Sequence, residues 1–106
     1  MTSEYILVQT TLSSREAADK LAREITASKL SACSQIDGPI TSIYWWQGKL
    51  EEGQEWRCTL KTSPRLYQQL EQKLKEIHPY ETPEIIAIPI LAGSQEYLAW
   101  LRENIR

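Results

Sequence analysis

The stretch SIYWWQGKLEEGQEWRCTLKT, residues 42–62, decides the architecture. Within it Trp56, Cys58 and Leu60 alternate with Glu55, Arg57, Thr59 and Lys61, the period of a two-faced strand over 54–62. The preceding LSACSQIDGPITSIYWWQ, residues 30–47, is long and rich in β formers. Gly38-Pro39 interrupts it and predicts a bulge or bend, because proline cannot donate to a β ladder. GKLEEG, residues 48–53, reads as the turn between the two strands. A turn centred on residues 50 and 51 sets Trp46 opposite Glu55 and Tyr44 opposite Arg57. Tyr44, Trp46, Glu55, Arg57 and Lys61 then share one face, and Trp56, Cys58 and Leu60 take the other, toward the helices. A one-residue slip would exchange the two faces.

Working outward from this hairpin, each flank supplies a strand and a helix. On the N-terminal side YILVQTTL, residues 5–12, reads as a strand. Ser13 and Ser14 follow it, and Ala17, Ala18, Leu21, Ala22 and Ile25 then form one helical stripe. On the C-terminal side Ser63-Pro64 opens a helix in cap-then-proline style, with Leu66, Leu70, Leu74 and Ile77 as its apolar stripe. His78-Pro79 ends that helix, since the residue before proline disfavours the α conformation. EIIAIPIL, residues 84–91, reads as a strand buried on both faces or at a subunit contact, and Pro89 marks it as an edge or a bulge. Ser94 caps a last helix carrying Tyr97, Leu98, Leu101 and Ile105. The order β-α-β-β-α-β plus a terminal helix is that of an α+β, ferredoxin-like split βαβ fold over residues 1–106. Four antiparallel strands with both main helices on one side leave the other side open. Bulky residues on both faces and the length of the hairpin call for a second copy of the chain to cover it.

Composition narrows the function classes. The 106 residues contain 42% hydrophobic residues and no Phe, with four Trp and five Tyr carrying much of the apolar surface. Such amphipathic rings are common at interfaces. A net charge of −2, a pI near 5.4 and scattered Lys and Arg argue against nucleic acid as partner. No apolar run approaches the roughly 20 residues of a membrane span. MTSEYILVQTTL lacks the pattern of a signal peptide, so a cytoplasmic protein is expected. Cys33 and Cys58 lie outside any CxxC and are expected as reduced, inert core thiols.

Two groups of residues could carry chemistry. His78, the only histidine, lies near Glu81 and Glu84 and could give an imidazole to a metal ion. It could equally be a helix C-terminal residue suited to the helix dipole. Glu55 and Lys61, walled by Tyr44 and Trp46, could form a cleft for an anion or zwitterion, or a salt bridge between subunits. Tyr80 and Trp100 could pack over the same region. No Ser or Cys has a plausible base and no glycine-rich phosphate loop is present in the sequence, so a non-enzymatic protein is expected.

SIYWWQGKLEEGQE (42–55), LKTSPRL (60–66), HPYETPEIIAIPI (78–90) and YLAWL (97–101) together resemble the CutA, or divalent-cation tolerance, family along essentially the whole chain. The resemblance implies a ferredoxin-like subunit in a tight homotrimer built through the extended hairpins. It further implies an association with tolerance to copper and other divalent cations. No cofactor is required on this reading, and Cu2+ or another divalent cation is the ion it raises, with His78 and Glu84 as ligands. The trimer also resembles the PII signalling proteins, which makes a sensor with a small ligand between subunits the alternative. Its contacts would be Tyr44, Trp46, Glu55, Lys61 and Tyr80. Two departures bear on copper. Some members carry a first-strand cysteine assigned to that metal where this chain has Gln9, and the usual ACVN around Cys33 reads ACSQ. Gln9 removes the soft thiolate that favours Cu(I).

Overall fold

A computed structural model describes residues 3–106. Its elements are β1 (Ile6–Leu12), α1 (Arg15–Ala27), β2 (Cys33–Trp46), β3 (Lys49–Thr62), a 3-10 turn (Pro64–Leu66), α2 (Tyr67–Ile77), β4 (Ile86–Pro89) and α3 (Gln95–Glu103). The strands form one sheet in the order β2-β3-β1-β4, with every neighbouring pair antiparallel. This is the α+β, ferredoxin-like arrangement that the sequence predicts.

The helices form where the sequence supplies both a start and an apolar stripe. Ser14 accepts the Ala17 N–H on its hydroxyl at 3.1 Å and Glu16 stands in the first turn of α1. Ala18, Leu21, Ala22 and Ile25 then point inward. Leu70 and Leu74 of α2 meet the same layer, which Val8, Cys58 and Leu60 build from the sheet side. Complete burial of each leucine contributes about 1.5–3 kcal/mol. A second, smaller cluster joins Leu101 and Ile105 at the end of α3 to Tyr5 and Leu66. The Ser94 hydroxyl accepts the Tyr97 N–H and caps α3 as expected. Ser63 differs from expectation. Pro64 opens a short 3-10 turn before α2, and the Ser63 hydroxyl makes no capping bond.

The hairpin departs from the expected register. The turn is Gln47-Gly48, both with positive φ (50° and 76°), as a two-residue loop matching strand twist requires. GKLEEG is therefore strand and not turn. Tyr44 pairs with Glu51, six residues along β3 from Arg57, and Trp46 pairs with Lys49 and not with Glu55. Six is even, and side chains alternate with period 2, so the expected sharing of faces survives the shift. The Gly38-Pro39 irregularity is present. Asp37 pairs with Arg57 and Ile40 with Glu55, so β2 carries one residue more than β3 across this interval. Gly38 is needed there because a Cβ on it would stand 2.7 Å from Trp56 Cδ1.

The side of the sheet away from α1 and α2 carries the row Ile88, Leu7, Lys61, Cys33, followed by the row Ile86, Gln9, Thr59, Gln35. Cys33 is thus a half-buried residue of the open face and not the core thiol expected, while Cys58 is fully buried. β4 spans four residues of the eight expected, lies at the sheet edge as Pro89 suggests, and is exposed throughout the subunit. None of the described helices is long and apolar enough to cross a membrane.

Candidate functional site

The corner between α2 and β4 is built around His78. Pro79 stops the helix, and His78 leaves it in an extended conformation (φ −74°, ψ 134°) with its N–H still donating to Leu74 O at 2.8 Å. The ring swings under the end of β1, where only 7% of the residue remains exposed. Nδ1 accepts the Tyr80 backbone N–H at 3.1 Å, which leaves the proton on Nε2 to be donated to the Thr11 carbonyl at 3.0 Å. Both ring nitrogens are therefore engaged within the subunit, and the imidazole is held neutral. Burial lowers its pKa below 6.5, and the Thr11 bond and the Glu55 charge oppose that shift without overcoming it.

Tyr80 stacks at a tilt on His78, with ring centroids 4.8 Å apart, and donates its hydroxyl to Glu55 Oε2 at 2.9 Å. Burial, followed by the Glu55 carboxylate, pushes the Tyr80 pKa up to about 12; Ser13 partly offsets the shift and Tyr44 adds to it. Four residues from three regions of the chain thus meet at one corner, Ser13, Glu55, His78 and Tyr80, while Tyr44 stands opposite Glu51, four residues nearer the hairpin tip than Ile40, the partner of Glu55. The arrangement presents one oriented carboxylate beside the Tyr80 hydroxyl, and that carboxylate can accept a cation or a hydrogen-bond donor.

The other expected cleft residues lie elsewhere. Lys61 is six residues from Glu55 along β3, about 20 Å at the rise of a strand. Its ammonium donates to the Tyr97 hydroxyl at 3.1 Å and lies 5.2 Å from the ring centroid, at the hydroxyl edge and not over the face. Trp100 packs on Tyr97 with ring centroids 5.6 Å apart, so it belongs with Lys61 and not with Tyr80. Trp46 stands at the hairpin tip, 53% exposed. Glu84 is exposed, and among the described residues no three His, Cys, Asp or Glu side chains come together as metal ligands. Sequence reasoning missed Ser13, the Thr11 carbonyl and Tyr97. Tyr97 lay in plain view on the α3 stripe, whereas the contacts of Thr11 and Ser13 depend on how β1 meets the corner.

The family model described as CutA1 divalent ion tolerance protein matches residues 6–104. The chain belongs to the CutA1 family. The divalent-cation tolerance protein CutA of Thermus thermophilus is 43% identical over 101 residues, spanning 95% of this chain and 96% of its own. The crystal structure of CutA1 from Oryza sativa superimposes with a TM-score of 0.94 at 39% identity, covering 99% of this chain and 96% of that one. The periplasmic divalent cation tolerance protein CutA from Archaeoglobus fulgidus gives 0.92 at 35% identity, covering 96% and 99%. These CutA1 likenesses favour the cation-tolerance reading over a PII-like sensor.

Proposed function

We propose that the chain acts in divalent-cation tolerance as a homotrimer with a binding and not a catalytic role. The match to CutA1 proteins along nearly the whole chain carries this reading. Self-association is supported by the uncovered hairpin, where Ile43, Trp45 and Leu50 are each more than 60% exposed, and by the bare edge strand with Ile86 and Ile88. Metal contact through His78 would require Nδ1 to exchange the Tyr80 amide for the ion, with Glu84 brought to it from the exposed segment beyond. Copper(II) or another divalent cation is therefore bound weakly, and no resident cofactor is part of the reading. We place the trimer in the cytoplasm, where Cys33 and Cys58 stay unpaired; cell fractionation checks this.

Calorimetric titration of tag-free protein with copper(II) tests the metal ligands. Weakened binding in a His78→Gln, Glu84→Gln variant is expected, and unchanged binding removes both residues from the reading. Expression in a cation-sensitive strain lacking its own family member tests the function itself, with restored growth in excess copper expected.

A further inference from the structure

We infer that the open surface depression between the start of β1, the 3-10 turn and the end of α3 binds a small organic phosphate. The depression has a volume of about 420 Å³ and is lined by Ser3, Glu4, Tyr5, Ser63, Arg65 and Arg102, with Pro64 and Ile105 completing the wall. That volume suits a ligand the size of a small metabolite. The two arginines reach it from different elements, the 3-10 turn and α3. Arg102 has no carboxylate within salt-bridge distance among the described residues, whose three ion pairs use Arg23, Lys73 and Lys75 instead. Arg65 spends one donor, Nη2, on the carbonyl oxygen of Arg106 and keeps the rest of its fork. The Ser63 hydroxyl, free of the capping bond its position usually makes, adds a neutral donor at the same wall.

Guanidinium forks match the tetrahedral oxygens of a phosphoryl group, and two of them offset the −1.5 to −2 charge it carries near neutral pH. Glu4 on the lining leaves one net positive charge, from two arginines less one glutamate. Tyr5 and the Pro64 and Ile105 side chains offer apolar contact to the body of the ligand. The site shares no residue with the corner around His78 and stands or falls separately from it.

Amide chemical shifts of the full chain, titrated in phosphate-free buffer with inorganic phosphate, phenyl phosphate and benzoate, test the assignment. Saturable shifts at Ser3, Ser63, Arg65 and Arg102 are expected, tightest for phenyl phosphate. Arg102→Gln should weaken that binding about tenfold, the loss of one charge-assisted hydrogen bond. Glu4→Gln should tighten it, an effect that a purely structural role for these residues would not produce. Lys20→Gln, an exposed cation elsewhere, should leave it unchanged. Shifts that do not saturate, equal weakening by Lys20→Gln, or benzoate binding as tightly as phenyl phosphate would each overturn the assignment.

Discussion

His78 shows how far a single residue can be read from sequence. Its place at a helix end follows from Pro79 alone, and the structure keeps it there as the last cap. Its chemistry depends on the Thr11 carbonyl, 67 residues away, which no local pattern announces. The tautomer follows from the Tyr80 amide, because a backbone N–H can only donate and so fixes Nδ1 as acceptor. Protonating the ring would set two donors against each other at that contact. The folded pKa is depressed below 6.5, so the unfolded chain takes up the proton first. The stabilisation is accordingly complete above about pH 6.5 and is lost as pH falls from there through the folded value. Urea midpoints measured at pH 7.5, 6.5 and 5.5 should fall more steeply for the wild type than for His78→Gln. Parallel slopes would show that the ring does not titrate as argued. Tyr80→Phe removes the hydroxyl held by Glu55 and should cost about 1–2 kcal/mol of unfolding free energy, the range for a bond to a charged acceptor in a half-buried place. A loss within a few tenths of zero would mean that water replaces the phenol without penalty.

At the scale of elements, periodic segments were legible and their joints were not. The stripes of α1 and α2 and the alternation of Trp56, Cys58 and Leu60 place the core on its correct side. The hairpin register was not legible, because Gln47-Gly48 is a weaker turn signal than the glycine-flanked acidic run at 48–53. What decided it is backbone twist, which demands positive φ at both loop residues and is met where glycine fills the second position. Replacing Gln47 with Asn, a residue that tolerates the left-handed region better, should raise the midpoint of thermal unfolding slightly. A fall would indicate that the Gln47 side chain makes a contact of its own. The Gly38 bulge carries a stricter demand. A methyl at Gly38 must displace the Trp56 ring or the Glu55 carbonyl, which a Cβ would meet at 3.0 Å. Gly38→Ala is therefore expected to destabilise by about 1–3 kcal/mol, as overpacking does in a closely fitted site. Trp56 fluorescence should shift with it, since the indole packs against the core from this bulge. Wild-type stability and emission in Gly38→Ala would show that the bulge relaxes freely.

At the scale of the whole molecule, the distribution of apolar surface favours the proposed self-association over an isolated chain. The core takes up the helices and one side of the sheet, yet Ile43, Trp45, Trp46 and Leu50 project from a hairpin that lengthens the subunit to 45 Å. Trp45 and Leu50 are direct cross-strand partners, 74% and 63% exposed, so they form one continuous ridge. Scattered exposed hydrophobics are ordinary, but a ridge joining two large side chains on a two-stranded arm is not. A two-stranded ribbon is also marginally stable alone, so its order requires packing beyond β1, whose pairing with β3 ends at Leu12 and Trp56. The partner surface is available on the same chain: an edge strand exposed at all four positions, with Leu91 78% exposed just beyond it. Association of copies removes both surfaces from water together. It also offers a way for Glu55 and Lys61, about 20 Å apart within one subunit, to line the same cleft across a boundary. A charge placed in the ridge tests the argument. Trp45→Glu, Leu50→Lys should pair with itself across the hairpin and leave the core untouched, yet make burial of the ridge against another copy costly. Light scattering at micromolar concentration should report a trimer for the wild type and a monomer for the double variant, with helical circular dichroism retained. A trimer that survives the substitution would move the interface off the hairpin, and a wild-type monomer would sink the assembly altogether.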